Sequence, residues 1–430
     1  MLLPRGLAPA ALALAVLTPA AKAQQVEMTL SEAVQHALAV DPAVIAARGL
    51  VTNGRWQRLN AFGNFLPTLV VGTSPFRVNR ASFINGFSVQ PGTFEYFSSF
   101  TATENLDLFL AGRISQYRAA GDSASAAAAT LALQRYQVVV ATQQAFFTTL
   151  ADEDLVRVAE AQVTETTEEL QTSVNKFLAG AATRSDTLTS TVDRGNAQYS
   201  LIQAQANLAT AQANLARQVG MDGSVRAVAD TAVPPLPDTL GLRASAGGSA
   251  PTLIQADAMA SAASASAWAV RSELWPQLQL SYTSTSQGLT APWHGFHDGN
   301  LNQNQLRFGI SWTLFNGFGA EQSIAQATIS RDIAQSIADS VRRELDAQFT
   351  EQVAAVFTAR AQMGIAAANV AAASEAYRVQ EERYKVGASA LLDLETAEAN
   401  LTQAQANQIQ ARYNYLIARV QLEALVGHPL

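Results

Sequence analysis

The sequence predicts a mainly α-helical protein with a membrane β component: a long coiled-coil helical barrel continuous with a transmembrane β-barrel that several chains share. Each chain would supply four strands. Three observations predict this. One unit is written twice at a constant offset, two very long helical tracts carry apolar side chains at every seventh position, and four short stretches alternate apolar with small polar residues. The composition agrees. Of 430 residues 48% are hydrophobic but only 7% aromatic, and alanine supplies much of the difference. Such a chain suits long, closely packed helices better than a mixed globular core. It has no cysteine, which excludes disulfides, a thiol nucleophile and a lipidated cysteine. The net charge of −7 argues against a nucleic-acid partner.

The first element is a targeting segment, residues 1–23. It has a charge at Arg5, an apolar run from Leu7 to Leu17 and an Ala-Lys-Ala cleavage site ending at Ala23, so the mature chain starts at Gln24. The run is too short and too proline-broken for a membrane anchor. Its removal takes away Arg5 and Lys22 and no acid. No later stretch supplies about 18 consecutive apolar residues, so no spanning helix is expected.

The mature chain reads as a first repeat (24–229), a Pro/Gly/Ser-rich linker or irregular segment (230–249) and a second repeat (250–430). Phe177 pairs with Tyr384, Gly180 with Gly387, Asp186 with Asp393 and Asn207 with Asn414, and Val219-Gly220 with Val426-Gly427. The offset is 207 throughout, as 384 stands to 177. Upstream, Asp41-Pro42 opens a run closed by Leu66-Pro67, and Ala250-Pro251 opens one closed by Trp275-Pro276. Each repeat is therefore helix, strand, loop, strand, very long helix, turn, helix.

The long helices are expected at 112–176 and 319–385, each roughly 95–100 Å. Helices of that length need neighbours. Phe349, Val356, Met363, Val370, Tyr377 and Tyr384 recur every seven residues, as do Val156, Val163, Leu170 and Phe177. The return helices do the same with Leu201, Leu208 and Leu215, and with Tyr415 and Leu422. This period implies left-handed supercoiling. Alanine at the remaining positions lets neighbours approach on more than one side.

The strands are expected at about 66–78, 94–109, 277–285 and 305–314. In the last, Leu306, Phe308, Ile310, Trp312 and Leu314 alternate with polar or small residues. Strands of about ten residues with one apolar face fit a membrane barrel wall, and a soluble half-buried strand gives the same pattern. If they lie in lipid, four cannot close a barrel, since the smallest have about eight, and an open edge in lipid is prohibitively costly. Two, three or four copies would then share one barrel.

At this point the chain resembles the TolC family of bacterial outer-membrane efflux channels. The resemblance rests on the doubled strand-pair and helical-hairpin unit, and on the "LF-x-x-G" and "LF-x-G" strand exits. It also rests on two turns of the form aromatic-x-x-G-x-x-x-x-x-D, "FLAGAATRSD" and "YKVGASALLD". It implies a homotrimer with twelve barrel strands in the outer-membrane lipid and a twelve-helix tunnel across the periplasm. It implies a passive exit duct for efflux or type I secretion, docked at its inner tip to a periplasmic adaptor (membrane fusion) protein and an inner-membrane pump. No catalysis and no cofactor is implied.

Two roles are open for Asp186 and Asp393, which follow the turns. An acid in the first helical turn complements the helix N-terminus. The resemblance instead places such acids at a cation-selective inner gate. In the family a cation commonly stands two residues after the second turn glycine; here that position is Ser389, and Arg184 beside the first turn is the candidate substitute. Gly180 and Gly387 are expected at φ > 0, and with Ala181 and Ala388 would let an adaptor approach. His294 and His297 in "WHGFHDG" lack further metal ligands. The pairs Glu168-Glu169 and Glu381-Glu382 read as solvated helix faces. A periplasmic adaptor and a structural coiled coil are the alternatives to a duct; the doubled unit argues against an adaptor, which needs one hairpin.

Overall fold

The computed structural model describes residues 26–78, 81–83, 87–89, 93–107, 111–228, 233–237, 242–243, 248–288, 301–428 and 430. The targeting segment, Leu108 and Phe109 of the first strand exit, and His294 and His297 lie outside the described residues. In chain order the elements are β1 (Val26–Met28), α1 (Leu30–Val40), α2 (Pro42–Gly63), β2 (Thr68–Val78), β3 (Ala81–Phe83), β4 (Phe87–Val89) and β5 (Thr93–Asp107). There follow α3 (Ala111–Leu178), α4 (Arg184–Val219), β6 (Val225–Ala227), α5 (Pro251–Val270), β7 (Gln277–Gly288), β8 (Leu301–Ser311), α6 (Gly319–Lys385) and α7 (Leu391–Val426).

The repeat is plain in the helices. α4 and α7 are both 36 residues long, and they start and end at equivalent positions of the two repeats. α3 has 68 residues and α6 has 67, close to the expected bounds. Pro42 and Pro251 each open a helix, where the missing N–H costs nothing. At α2 the Asp41 carboxylate also accepts from the amides of Ala43 (2.8 Å) and Val44 (3.1 Å).

The main sheet is antiparallel with order β2-β5-β7-β8. The strand pairs of the two repeats meet along β5 and β7, from Tyr96 opposite Gly288 to Asp107 opposite Gln277. Among the described residues β2 and β8 pair on one side only. Leu306, Phe308 and Ile310 on β8 are 61–70% exposed. The last strand begins and ends earlier than its alternation predicted. Trp312 lies past its end, where its Nε1 donates to the Leu274 carbonyl at 3.1 Å. Two small ladders were not expected. β1 runs parallel to β6, Val26 opposite Val225, and β3 pairs with β4.

The chain divides into two compact units, each drawing on both repeats. One holds 37–144, 233–372 and 410–430. Its core joins Phe349, Val356, Tyr415 and Leu422, heptad residues of α6 and α7, with Val426 at the end of α7 and Leu242 from the segment between the repeats. The described residues 233–237 of that segment are anchored to α7. Tyr415 donates its hydroxyl to the carbonyls of Pro234 (2.9 Å) and Pro235 (3.0 Å). Gly54 brings α2 against α3, since a Cβ there would stand 3.0 Å from the Ala124 Cα.

The other unit holds the chain up to 36, 145–232 and 373–409. Tyr384, Leu391 and Leu394 form a core cluster there, with Tyr377 packed against it. Val156 and Leu215 are buried as their register predicts, whereas Phe177 is 42% exposed because it stands in the last turn of α3. Burying such side chains stabilises by roughly 1.5–3 kcal/mol each.

The Val-Gly pairs that mark the repeat end α4 and α7 with left-handed glycines, Gly220 (φ 71°) and Gly427 (φ 85°). At Gly427 a Cβ would also stand 2.4 Å from the Ser249 carbonyl oxygen. Gly427→Ala is expected to destabilise the protein by about 1–3 kcal/mol, read as a lowered thermal unfolding midpoint of the detergent-solubilised chain.

Candidate functional site

The hairpin tips are built alike. α3 ends with the amide of Gly180 donating to Phe177 O (3.0 Å) and that of Ala181 to Lys176 O (2.8 Å). α6 ends with the amide of Gly387 donating to Tyr384 O (3.1 Å) and that of Ala388 to Arg383 O (2.7 Å). This is the Schellman arrangement, which requires a left-handed residue at the glycine. Gly180 has φ 74° and Gly387 φ 76°, as expected. Gly180, Ala181, Gly387 and Ala388 are all exposed.

The helices that leave the tips start differently. Thr183 caps α4: its Oγ1 accepts from the Asp186 amide (3.2 Å), while the Asp186 carboxylate accepts from the Thr183 amide (2.8 Å). This reciprocal pair satisfies two free helix amides, so Asp186 has a local structural task. Asp393 is exposed in the first turn of α7, its Oδ2 accepting from the Ala390 amide at 3.4 Å. Arg184 is exposed, and the Oγ of Ser389 is buried without a hydrogen-bond partner among the described residues.

Sequence reasoning missed the polar centre above the tips. The Ser173 hydroxyl is buried and lies 2.9 Å from that of Ser190 and 3.2 Å from that of Tyr384. Ser190 donates in turn to the Asp186 carbonyl at 3.1 Å. Lys176 stands 3.4 Å from the Tyr384 ring centre and donates to the Tyr384 carbonyl. Burial holds the Lys176 ammonium below its ordinary range and pushes the Tyr384 phenol up. Lys176 thus reaches from the first hairpin to the second, whereas Arg184, the candidate substitute for the cation replaced by Ser389, is exposed.

The acid pairs need correction. Glu168 and Glu382 are exposed, and Glu381 is half-buried, but Glu169 is buried. Glu398 of α7 is also buried, and burial first, then neighbouring carboxylates, pushes both carboxyl groups up. The signal was present. Thr166 and Ser173 are seven apart with Glu169 three after Thr166, the same spacing as a coiled-coil seam, written in polar residues.

Comparison with known proteins follows the same outline. The family described as outer membrane efflux protein matches residues 33–221 and 242–428. A search of the curated proteins finds no sequence match. Among solved structures, the outer membrane protein VceC of Vibrio cholerae is 15% identical with a TM-score of 0.78, over 93% of this chain and 96% of that one. The CmeC outer membrane channel of Campylobacter jejuni is 16% identical with a TM-score of 0.79, over 93% and 85%. The MtrE outer membrane channel of Neisseria gonorrhoeae, in its open state, is 18% identical with a TM-score of 0.77, over 93% and 89%.

Two substitutions test the tip. Thr183→Ala is expected to cost about 1 kcal/mol of local helix stability, seen as faster amide exchange over the first turn of α4. Lys176→Met removes the cation over Tyr384 and is expected to speed exchange around Gly387, by on the order of 1 kcal/mol of local stability.

Proposed function

Since the chain belongs to the outer membrane efflux protein family, we infer that it is the outer-membrane exit duct of a tripartite efflux system. The family is one of channels rather than enzymes. The observation that carries this reading is the main sheet. It exposes Leu69, Val71, Leu306, Phe308 and Ile310, and its outer strands β2 and β8 each have a free side among the described residues. In water such a face and such edges promote aggregation. In lipid the face is favourable, but the edges must be paired. Trp275, Trp312 and Phe315 stand exposed where β7 starts and β8 has ended. An aromatic girdle of that kind marks the interface end of a membrane barrel wall.

Three copies close the barrel with twelve strands. The helical hairpins then continue as a periplasmic tunnel whose tips dock an adaptor and an inner-membrane pump. Leu188, Val192, Tyr199 and Ile202, all exposed on α4 at heptad-like spacing, support a further helix–helix seam with a neighbouring copy. Among the described residues α6 also holds a stretch apolar enough by composition to cross a bilayer, with a mean hydropathy of 1.2. No such stretch was expected. It qualifies through alanine, is interrupted by Arg360 and Gln362, and lies within a 67-residue helix. The strands therefore remain the membrane-crossing elements in this reading.

Fractionation tests the reading. The protein is expected in outer membranes, released only by detergent, and running on a gel as a trimer until heated. A soluble monomer would contradict it. Asp393→Ala in planar bilayers is expected to weaken cation preference and block by multivalent cations. Unchanged selectivity and block would leave Asp393 with its helix-end role alone.

A further inference from the structure

The unit that holds the hairpin tips buries acids for which the channel reading has no use. Glu169 of α3 and Glu398 of α7 are 8% and 6% exposed. Each keeps one carboxyl oxygen, Oε1, buried with no hydrogen-bond partner among the described residues. The two carboxyl groups act on each other, each among the causes that shift the other. Beside them Glu395 of α7 and Asp193 of α4 form a second carboxyl pair, again with a buried, partnerless oxygen on each. A carboxyl group hydrogen-bonds another only if a proton lies between them. The two pairs therefore draw on three of the four helices of the two hairpins.

Among the described residues no cation acts on the cluster. The groups acting on the cluster are Glu165 from α3, Asp186 and Asp193 from α4, and Glu395 and Glu398 from α7. From α6, Tyr377 faces Glu165, Glu169 and Glu398, and Glu381 faces Glu165. Glu168 acts on Glu165 from the same helix. Tyr384 of α6 faces Glu169, Asp186 and Glu395, and Lys176 is engaged with Tyr384. Nor do the described residues form a group able to hold a metal ion. The species that fits between these oxygens is the proton.

We propose that the pairs Glu169–Glu398 and Glu395–Asp193 are a proton-operated clasp between the two helical hairpins of one chain. With a proton in each pair the hairpins stay together. Loss of the protons leaves several buried negative charges facing one another, and the hairpins separate at their lower ends.

The sign follows from burial. Desolvation first, then the neighbouring carboxylates, raise Glu169 to about 8, and Glu395 and Glu398 to about 7. The folded form thus holds protons that an unfolded or opened form releases at the ordinary carboxyl range. Stability from the clasp is full below that range, falls as pH rises, and is gone above about 8. The clasp would tune the duct proposed above, so its effect on conductance rests on that reading. Its mechanical step does not.

The chain has no native cysteine, so Ala181→Cys with Ala388→Cys allows one spin label on each tip. In the full-length protein, the label separation is expected to lengthen between pH 6 and pH 9. It should stay at its pH 6 value in the same chain carrying Glu169→Gln and Glu398→Gln. In planar bilayers, conductance of the unlabelled protein is expected to rise severalfold over the same interval, and the double glutamine variant to lose that rise. Glu160→Gln, an exposed acid on α3, should keep the transition at its original pH. A separation that does not change with pH overturns the clasp whatever the conductance does. So does a transition that persists in the double variant, or one that follows added Ca2+ at constant pH. A pH-dependent separation in a protein that does not conduct would keep the clasp and reject the duct.

Discussion

A backbone N–H or C=O in hydrocarbon has no water to bond, and the architecture follows from that constraint. The main sheet satisfies its inner strands β5 and β7 on both sides and leaves β2 and β8 satisfied on one. An apolar face makes lipid the favourable medium for the sheet, and the same medium makes each free edge cost several kcal/mol per unpaired group. Another copy of the same chain is the simplest source of a partner edge. β2 and β8 are antiparallel within the sheet order, so successive copies can continue the alternation around a ring.

The helices obey a different rule. Their seams are apolar where they need adhesion and alanine-rich where they need close approach. Tyr415 shows how a large side chain is admitted: its ring is fully buried while its hydroxyl reaches two proline carbonyls of the segment between the repeats. The unit that holds the hairpin tips departs from this rule. Between its hairpins the seam carries serine, threonine and glutamate. A polar seam is weaker than an apolar one and more sensitive to conditions.

Much of this was legible in the residues. The offset between the Val-Gly pairs fixed the repeat, and the left-handed glycines at both tips and both helix ends follow from the chemistry of stopping a helix. The seven-residue seams located some of the buried positions, including Val356, Tyr415 and Leu422. What escaped had weak or misleading local signals. The β1–β6 ladder joins short segments nearly two hundred residues apart, and nothing in either predicts its partner. Glu169 has the composition of a surface residue, and only the polar positions around it at seam spacing mark it as internal. Of the two roles open for Asp186, its reciprocal bond with Thr183 supplies the local helix-end one, which a Thr-x-x-Asp spacing already contains. Lys176 was passed over because its partner, Tyr384, lies in the other repeat.

The account stands on the joining of sheet edges between copies, and covalent capture of that joint tests it most directly. In the cysteine-free chain, Val71→Cys on β2 would be combined in turn with Arg307→Cys, Phe308→Cys and Gly309→Cys on β8, and oxidised in native outer membranes. At the pair that stands in register, a ladder is predicted that ends at three chains on a denaturing gel and collapses to one on reduction. Failure of every pair to link separate chains, with β2 and β8 instead joined inside a single chain, would contradict the account.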